Sequence, residues 1–255
     1  GRTLRLDRHS GFLRDRYERA YRLDRFPIAA GEAGPSQQLG DPKGPAHRLA
    51  RAVNRLLPGN SRFYLAEKAT RPAAQLLEFH SRRPTVFLNG YWQNPCYFED
   101  HADRIREELQ PPPLDGPDAA LEEEISSTPS VCLHVRRVRY SPALGPEYYA
   151  ACISAALKLD PGARFEVFGD DLDWARSQLD FAGAPARFHE GASDEIRDLR
   201  LMASCRHAIV ANSSFSWWAA WLRPGPDKKV WTPANPGWPV VPAANWIATP
   251  NQLVD

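Results

Sequence analysis

The segment that decides the fold covers residues 207–222, which read His-Ala-Ile-Val-Ala-Asn-Ser-Ser-Phe-Ser-Trp-Trp-Ala-Ala-Trp-Leu. Its apolar start at 208–211 predicts a buried strand, and its aromatic end at 215–222 predicts a helix. The residues Asn-Ser-Ser at 212–214 form the turn between them. Free backbone N–H groups and the helix dipole favour an anion at such a helix start. A simple helix cap by Ser213 or Ser214 explains the same pattern equally well.

Strands and helices alternate on both sides of this segment. The predicted strands cover 131–135, 164–168, 186–189, 208–211 and 229–232, and the predicted helices cover 147–159, 172–179, 194–205 and 215–222. This alternation is typical of βαβ units with a parallel sheet. A proline-rich stretch at 110–129 places the domain boundary there, which gives an N-terminal α/β domain at 1–128 and a C-terminal domain at 129–255. We expect residues 233–255 to pack back as irregular chain.

Composition excludes several classes of protein. A net charge of +1 over 255 residues gives no basic field for binding nucleic acid. No apolar run is long enough to span a membrane, and the start of the chain shows no signal peptide. The four Cys residues form no CxxC pair, so reduced thiols are expected. We therefore expect a cytoplasmic protein, and the sequence leaves open a peripheral contact with the inner face of the membrane.

The N-terminal half contains one segment with polar and aromatic character after a predicted strand. Residues 86–88 predict a buried strand, and Asn89-Gly90 predicts a turn. Tyr91, Trp92 and Gln93 follow, and such a group suits stacking on a sugar with one hydrogen-bonding partner. Burial of these aromatic residues against the sheet is an equally good interpretation. Residues 47–57 have an apolar spacing that suits a helix, with Leu49, Val53, Leu56 and Leu57.

Polar side chains follow several of the predicted parallel strands, where open sheets bind ligands. They are His134, Arg136 and Arg137 after the first strand, Asp170, Asp171 and Asp173 after the second, Asp198 on the helix before the fourth, and Ser213 and Ser214 after it. An Arg and a helix start together can hold a diphosphate. The Asp cluster suits either a divalent metal or the first turn of a helix, and we favour the second because Arg already supplies positive charge.

These segments together resemble the α-1,2-fucosyltransferases of glycosyltransferase family 11. The resemblance rests on His134-Val-Arg-Arg, on 165–174, on 198–205, on Asn212-Ser-Ser-Phe-Ser-Trp-Trp, and on Asn89-Gly-Tyr-Trp-Gln93. It implies a GT-B-like fold with two Rossmann-like domains. It also implies an inverting, metal-independent transfer of L-fucose from GDP-fucose to the 2-hydroxyl of a galactose-containing glycan, such as lipopolysaccharide, without a cofactor.

The resemblance also implies roles for individual residues. Arg136 is expected to bind the diphosphate and stabilise the departing GDP, with Ser213 and Ser214 beside the phosphate. His134 and Asp198 are expected to contact the guanosine, where a carboxylate matches the N1–H and N2–H donors of guanine. Tyr91, Trp92 and Gln93 are the candidate acceptor-binding residues. No residue is assigned as the base, for which Glu147, Asp170 and Asp171 are candidates.

Two departures from the family pattern keep other functions open. Val138-Arg139 stands where the family has Gly-Asp, and the family's Gly-rich first segment has no counterpart, so we expect a truncated or rearranged start. The alternatives are a metal-dependent glycosyltransferase that uses Asp171 and Asp173, and a family member that binds nucleotide or glycan without turnover. A nucleotide-binding domain without sugar chemistry is disfavoured by the three Trp residues of 207–222.

Overall fold

The computed structural model describes residues 2–13, 20–41, 43–67, 81–138, 142–190, 194–237 and 241–254. The chain forms two compact units, one ending at Glu108 and one beginning at Leu109. The second unit therefore begins before the proline-rich stretch, whereas the sequence placed the domain boundary after residue 128. Within the described residues, no helix has the length and apolar character needed to cross a membrane.

The described residues of the first unit form two pairs of short parallel strands. Strand β1 (Arg5–Leu6) pairs with β2 (Gly31–Glu32), and β3 (Tyr64–Ala66) pairs with β4 (Phe87–Asn89). Its described α-helices are α1 (Pro45–Leu56) and α2 (Ala102–Glu108). Short 3-10 turns cover Ser10–Phe12, Leu23–Arg25, Pro35–Gln37, Gly59–Ser61, Pro95–Tyr97 and Glu99–His101. A helix that the sequence predicts at 72–80 lies outside the described residues.

Helix α1 is present as predicted, but the apolar residues that indicated it do not form its buried side. The side chain of Leu56 is 87% exposed, and Leu49 and Val53 are also exposed. The buried side instead carries Ala50 and polar groups such as His47 and the half-buried Asn54. The Asn54 side chain accepts from the N–H groups of residues 63 and 64 at 2.8 and 3.0 Å and donates to a backbone carbonyl at 2.8 Å. Hydrogen bonding, not apolar spacing, therefore sets the orientation of this helix.

The second unit alternates helices and strands as the sequence predicts. Its elements are α3 (Gly116–Ser127), β5 (Ser130–Val135), β6 (Ala143–Leu144), α4 (Pro146–Leu159), β7 (Arg164–Gly169), α5 (Leu172–Gln178), β8 (Ala186–Phe188), α6 (Glu195–Ser204), β9 (His207–Ile209), α7 (Ser214–Leu222), β10 (Val230–Pro233), β11 (Ile247–Thr249) and β12 (Leu253–Val254). Helix α3 occupies the stretch that the sequence treated as a linker. Strand β11 is a correction, because residues 233–255 were expected to be irregular.

In the described part of this unit, six parallel strands form the central sheet, in the order β11-β10-β9-β5-β7-β8. Numbered along the chain, this order is 6-5-4-1-2-3, which is the strand order of the Rossmann fold. From β5 the chain first adds β7 and β8 on one side, and it then returns to add β9, β10 and β11 on the other side of β5. The switch point therefore lies between β5 and β9. In such sheets the crevice at this switch point, outside the carboxyl ends of the strands, is where ligands bind.

The two faces of the sheet differ in polarity because successive side chains of a strand point to opposite faces. One face forms an apolar core with α4 and α5, in which Leu133, Val167 and Tyr148 are fully buried. On the other face, the alternate positions carry His134, Glu166 and Phe168. Helix α6 packs on β7, and it also packs against α3 and α7. The polar face is therefore the one that meets α6.

Candidate functional site

The ends of β5 and β9 bring two of the predicted groups together at the switch point. His134 is the second-last residue of strand β5, and Phe215 lies in the first turn of helix α7. Their ring centroids are 5.9 Å apart. The segment that carries His134 and Arg136 therefore lies beside the start of α7, which carries Ser213 and Ser214.

Side-chain hydrogen bonds fix the start of helix α7. Ser213 is the N-cap, and its hydroxyl oxygen accepts from the backbone N–H of Phe215 at 3.3 Å. The buried Ser216 accepts from the N–H of Ala211 at 3.2 Å. Asn212, also buried, donates its amide to the carbonyl of Pro142 at 2.9 Å. The structure thus confirms the cap at Ser213 and places Ser214 as the first residue of a well-anchored helix.

The two consecutive arginines after β5 have different environments. Arg136 is 32% exposed, and its Nη1 lies 2.9 Å from Oδ2 of Asp170. Arg137 lies over the ring of Trp174, at 4.1 Å from the centroid, and donates to the carbonyl of Leu144 at 3.0 Å. Packing therefore occupies Arg137, whereas Arg136 stays partly exposed and is held by its ion pair with Asp170.

Asp170 receives its position from a glycine at the end of β7. A Cβ at Gly169 would overlap the carbonyl oxygen of Val135, so only glycine allows β5 and β7 to approach this closely. The approach lets the N–H of Asp170 donate to that carbonyl at 3.3 Å. The Asp170 carboxylate then accepts the backbone N–H of Arg137 at 2.7 Å while it pairs with Arg136.

The neighbouring carboxylates of Asp171 and Asp173 lie at the start of α5. Asp171 is the N-cap of α5, and it accepts the backbone N–H of Trp174 at 3.1 Å. Asp173 is exposed and lies 3.6 Å from Arg176. The helix-start interpretation of these acids is therefore confirmed for Asp171. Within the described parts of the chain, no group of three or more His, Cys, Asp or Glu side chains is arranged to hold a metal ion.

His134 is a buried, uncharged group at this edge of the sheet. Its side chain is 6% exposed, and burial lowers its pKa to about 4, opposed in part by Asp170. The imidazole is therefore neutral near pH 7. Its Nδ1 is buried and has no hydrogen-bond partner among the described residues. A buried polar atom without a partner costs free energy, and a bound ligand would relieve this cost.

A row of rings continues from His134 along the polar face of the sheet. Phe168 lies opposite His134 in the register of β5 and β7, and its ring stacks on that of His189 at 4.1 Å. Nε2 of His189 lies 2.6 Å from Oε2 of Glu166, and both side chains are buried. Sequence analysis missed this pair. A charged residue within the apolar run Phe-Glu-Val-Phe at 165–168 was the signal that pointed to it.

Asp198 lies in the first turn of α6, on the side of the unit that carries this row. Its Oδ1 accepts from Nη1 of Arg197 at 3.2 Å. Burial raises its pKa, and the nearby positive charge of Arg197 and the proximity of His189 oppose the rise. His189 thus links the environment of Asp198 to the ring of Phe168.

In the first unit, the predicted acceptor residues follow β4 directly. Tyr91 is 69% exposed. Trp92 has a φ of 52°, which is rare for a bulky residue, and its N–H donates to Oε2 of Glu67 at 2.7 Å. Gln93 is only 4% exposed, and neither of its amide atoms has a partner among the described residues. Strained backbone and unpartnered buried polar atoms are typical of binding sites. Glu67, at the end of β3, is a neighbour that sequence analysis missed.

Comparison with known proteins identifies the family. The model of the family described as glycosyl transferase family 11 matches residues 72–240, which is more than half of the chain. The chain belongs to glycosyl transferase family 11. An alpha-1,2-colitosyltransferase of Escherichia coli is 32% identical over 155 residues, which cover 56% of this chain and 53% of the relative. The chain thus spans about half the length of that relative.

A second relative supports the same membership. The O-antigen biosynthesis glycosyltransferase WbnK of Escherichia coli is 28% identical over 216 residues, which cover 72% of this chain and 70% of the relative. No solved structure matches the chain. All of the predicted site residues of this family 11 protein fall inside the matched range, namely Tyr91, Trp92, Gln93, His134, Arg136, Asp198, Ser213 and Ser214. Their individual roles stay predictions.

Proposed function

We propose that this family 11 glycosyltransferase moves L-fucose from GDP-fucose to the 2-hydroxyl of a galactose-containing surface glycan, with inversion at the anomeric carbon. The observation that supports this most directly is the convergence of His134, Arg136 and the start of α7 at the switch point of a Rossmann-order sheet. The names of the relatives, an alpha-1,2-transferase and an O-antigen enzyme, support the linkage and the glycan class.

In this proposal the second unit binds the donor. Arg136 offers a planar guanidinium to the diphosphate, and the N–H groups at the start of α7 offer further donors next to Ser214. His134 lies near the carboxyl end of β5, and Asp198 lies on α6, which packs on β7. In this proposal the neutral His134 and the carboxylate of Asp198 receive the guanosine. The carboxylate accepts from N1–H and N2–H of guanine.

The reaction is a displacement at the anomeric carbon of fucose. The bond from that carbon to the β-phosphate oxygen breaks, and GDP leaves with the electron pair. The 2-hydroxyl oxygen of the acceptor forms the new bond from the opposite face of the sugar, and its proton passes to a base that we do not assign. Arg136 stabilises the negative charge that develops on the phosphate, so no metal ion is required. The capping role of Asp171 and the exposure of Asp173 agree with this.

We further propose that the first unit binds the acceptor and that the whole protein has the two-domain GT-B architecture in the cytoplasm. Tyr91 and Trp92 offer aromatic surface for the galactose, and the buried amide of Gln93 offers a donor and an acceptor for its hydroxyls. The strained backbone of Trp92 and the unpartnered amide support this assignment.

Calorimetric titration of GDP and UDP in EDTA tests the donor assignment. We expect selective binding of GDP in EDTA, followed by transfer from GDP-fucose to a galactoside. Equal binding of UDP would contradict the proposal. Binding that appears only with Mg²⁺ or Mn²⁺ would instead favour a metal-dependent enzyme, and GDP binding without transfer to any galactoside would favour a family member without turnover.

One observation favours colitose as an alternative donor sugar. The relative that is 32% identical is named as a colitosyltransferase, and colitose is fucose without the 3-hydroxyl. The transfer assay should therefore include GDP-colitose beside GDP-fucose, with the same acceptors. A higher kcat/KM for GDP-colitose would move the donor assignment to colitose and leave the nucleotide and linkage assignments intact.

A further inference from the structure

The carboxylate of Asp198 accepts a hydrogen bond from Arg197, and Arg197 is in turn paired with the carboxylate of Asp118. Nε and Nη2 of Arg197 donate to the two carboxylate oxygens of Asp118 at 2.8 and 2.7 Å. The remaining nitrogen of the guanidinium, Nη1, donates to Oδ1 of Asp198 at 3.2 Å. Asp118 lies in the first turn of α3, so the three residues link α3 to α6.

This arrangement fixes the direction of the Asp198 carboxylate. A bidentate pair between guanidinium and carboxylate sets the plane of the arginine, because two parallel hydrogen bonds leave it little rotation. The third bond then sets the position of one oxygen of Asp198. An oxygen of a carboxylate has capacity for further hydrogen bonds, so both oxygens can still accept from a ligand.

We propose that Arg197, anchored by Asp118, is a positioning residue that orients the Asp198 carboxylate for the N1–H and N2–H edge of guanine and so determines nucleotide specificity. This inference rests on the proposed function, because it assumes that Asp198 contacts the base. It adds Asp118 and Arg197, on two helices, to the residues that the sequence pattern singled out.

Electrostatics agrees with this geometry. Burial raises the pKa of Asp198, and Arg197 is the largest influence that opposes the rise, followed by His189, while Asp194 adds to it. The pair with Asp118 also lowers the pKa of the Asp118 carboxyl, so this anchor stays ionised. Loss of the positive charge at Arg197 would therefore move the pKa of Asp198 further upward. Because the carboxylate form accepts from guanine, GDP binding would then weaken at a higher pH than in the wild type.

The same two helices provide a matched control. Three residues further along α6, Arg200 donates to Oε2 of Glu122 on α3 at 2.7 Å and to the carbonyl of Pro111 at 2.6 Å. This pair also links α3 to α6, and its charged groups are at least as buried as those of Arg197 and Asp118. Arg200→Gln therefore removes an equivalent ion pair without removing a bond to Asp198.

The experiment is calorimetric titration of the wild type, Asp198→Asn, Arg197→Gln, Asp118→Asn and Arg200→Gln with GDP and with inosine diphosphate, which lacks the N2 amino group. Titrations are repeated from about pH 8 down to about pH 4, so that the range starts where carboxyl groups are ionised and ends near the ordinary pKa of an Asp carboxyl. Thermal unfolding of each variant verifies that it is folded.

We expect the wild type to bind GDP more tightly than inosine diphosphate, and Asp198→Asn to lose this preference. Arg197→Gln should weaken GDP binding about tenfold, as expected for one charged hydrogen bond, and should shift the loss of binding to higher pH. Asp118→Asn should reduce the preference without this upward shift, since the Arg197 charge remains. Arg200→Gln should keep both the preference and the pH profile.

The outcomes distinguish a failure of the proposed function from a failure of the positioning role of Arg197. A wild type without preference for GDP, or an Asp198→Asn variant that keeps it, would contradict the role of Asp198 in the proposed function and with it this inference. If Asp198→Asn loses the preference while Arg197→Gln keeps both the preference and the pH profile, the positioning role is wrong and the proposed function stands. Equal losses in Arg197→Gln and Arg200→Gln would also overturn the positioning role, because they would reflect only the link between helices.

Discussion

The ion pair between Arg136 and Asp170, with Nη1 2.9 Å from Oδ2, joins the ends of the neighbouring strands β5 and β7. The same carboxylate accepts the backbone N–H of Arg137 at 2.7 Å. The resemblance to family 11 leads one to expect an acid two residues after the second arginine, where this chain has Arg139. Asp170 supplies a carboxylate to the arginines from the adjacent strand, so an orienting acid is present despite that departure.

Replacement of Arg136 by Ala should remove most of the transferase activity. If Arg136 stabilises the charge on the departing GDP, its loss should cost roughly 3–4 kcal/mol, or a few hundredfold in kcat. The measurement is kcat for transfer from GDP-fucose to a galactoside. Arg176→Ala, which removes an exposed arginine of α5, is the control and should keep wild-type turnover. Turnover of Arg136→Ala close to that of the wild type would remove Arg136 from the mechanism.

Replacement of Asp170 by Asn should lower kcat/KM because it weakens the ion pair that positions Arg136. The substitution keeps the size of the side chain and one oxygen that can accept the N–H of Arg137, but it removes the charge and the second accepting oxygen that hold the Arg136 guanidinium. We expect a decrease of about tenfold, the size associated with one hydrogen bond between charged groups. In the double variant Arg136→Ala/Asp170→Asn, the second substitution should have little further effect. Fully additive losses would show that Asp170 acts independently of Arg136.

Sequence patterns predicted the second unit well because its strands are short apolar runs between clear turn signals, as at 131–135 and 164–168. They failed where polar contacts determine the packing. The apolar residues of α1 predicted the helix but do not form its buried side, where Asn54 accepts from backbone N–H groups at the start of β3. The hydrogen bond between Arg197 and Asp118 joins residues that are 79 positions apart in the sequence. A local sequence pattern does not predict a contact between residues so far apart.

Protonation of His134 should make the stability of the second unit depend on pH. Its folded pKa of about 4 lies below the ordinary value of 6.5, so the unfolded chain binds more protons between these values. The stabilisation is complete above about pH 6.5 and is lost as the pH falls towards 4. Between about pH 7.5 and pH 5, this group alone should lower the free energy of unfolding by about 2 kcal/mol.

Urea unfolding followed by tryptophan fluorescence measures this dependence, since all Trp residues except Trp92 lie beyond Glu108. His134→Phe removes the titrating group and keeps a ring of similar size, so its stability should change less between the two pH values. An identical change in the wild type and in His134→Phe would show that His134 is not the group responsible.

Replacement of Gln93 by Leu distinguishes a binding role from a packing role for the buried amide. Both amide atoms of Gln93 lack partners among the described residues, and buried polar groups in this condition cost about 1–3 kcal/mol each. An apolar side chain of similar size should therefore preserve or raise the thermal stability. If the amide binds acceptor hydroxyls, the same substitution should raise the KM for the galactoside about tenfold and leave GDP binding unchanged.

A glutamine that does have a partner provides the control for this substitution. The amide of Gln38, in the same unit, donates to the carbonyl of Ala33 at 2.8 Å. Gln38→Leu should therefore lower the thermal stability, because it leaves that carbonyl without its donor, and should not change the acceptor KM. A Gln93→Leu variant that loses stability and keeps the wild-type KM would mean that its amide serves the fold, and Tyr91 and Trp92 would then remain the candidates for acceptor binding.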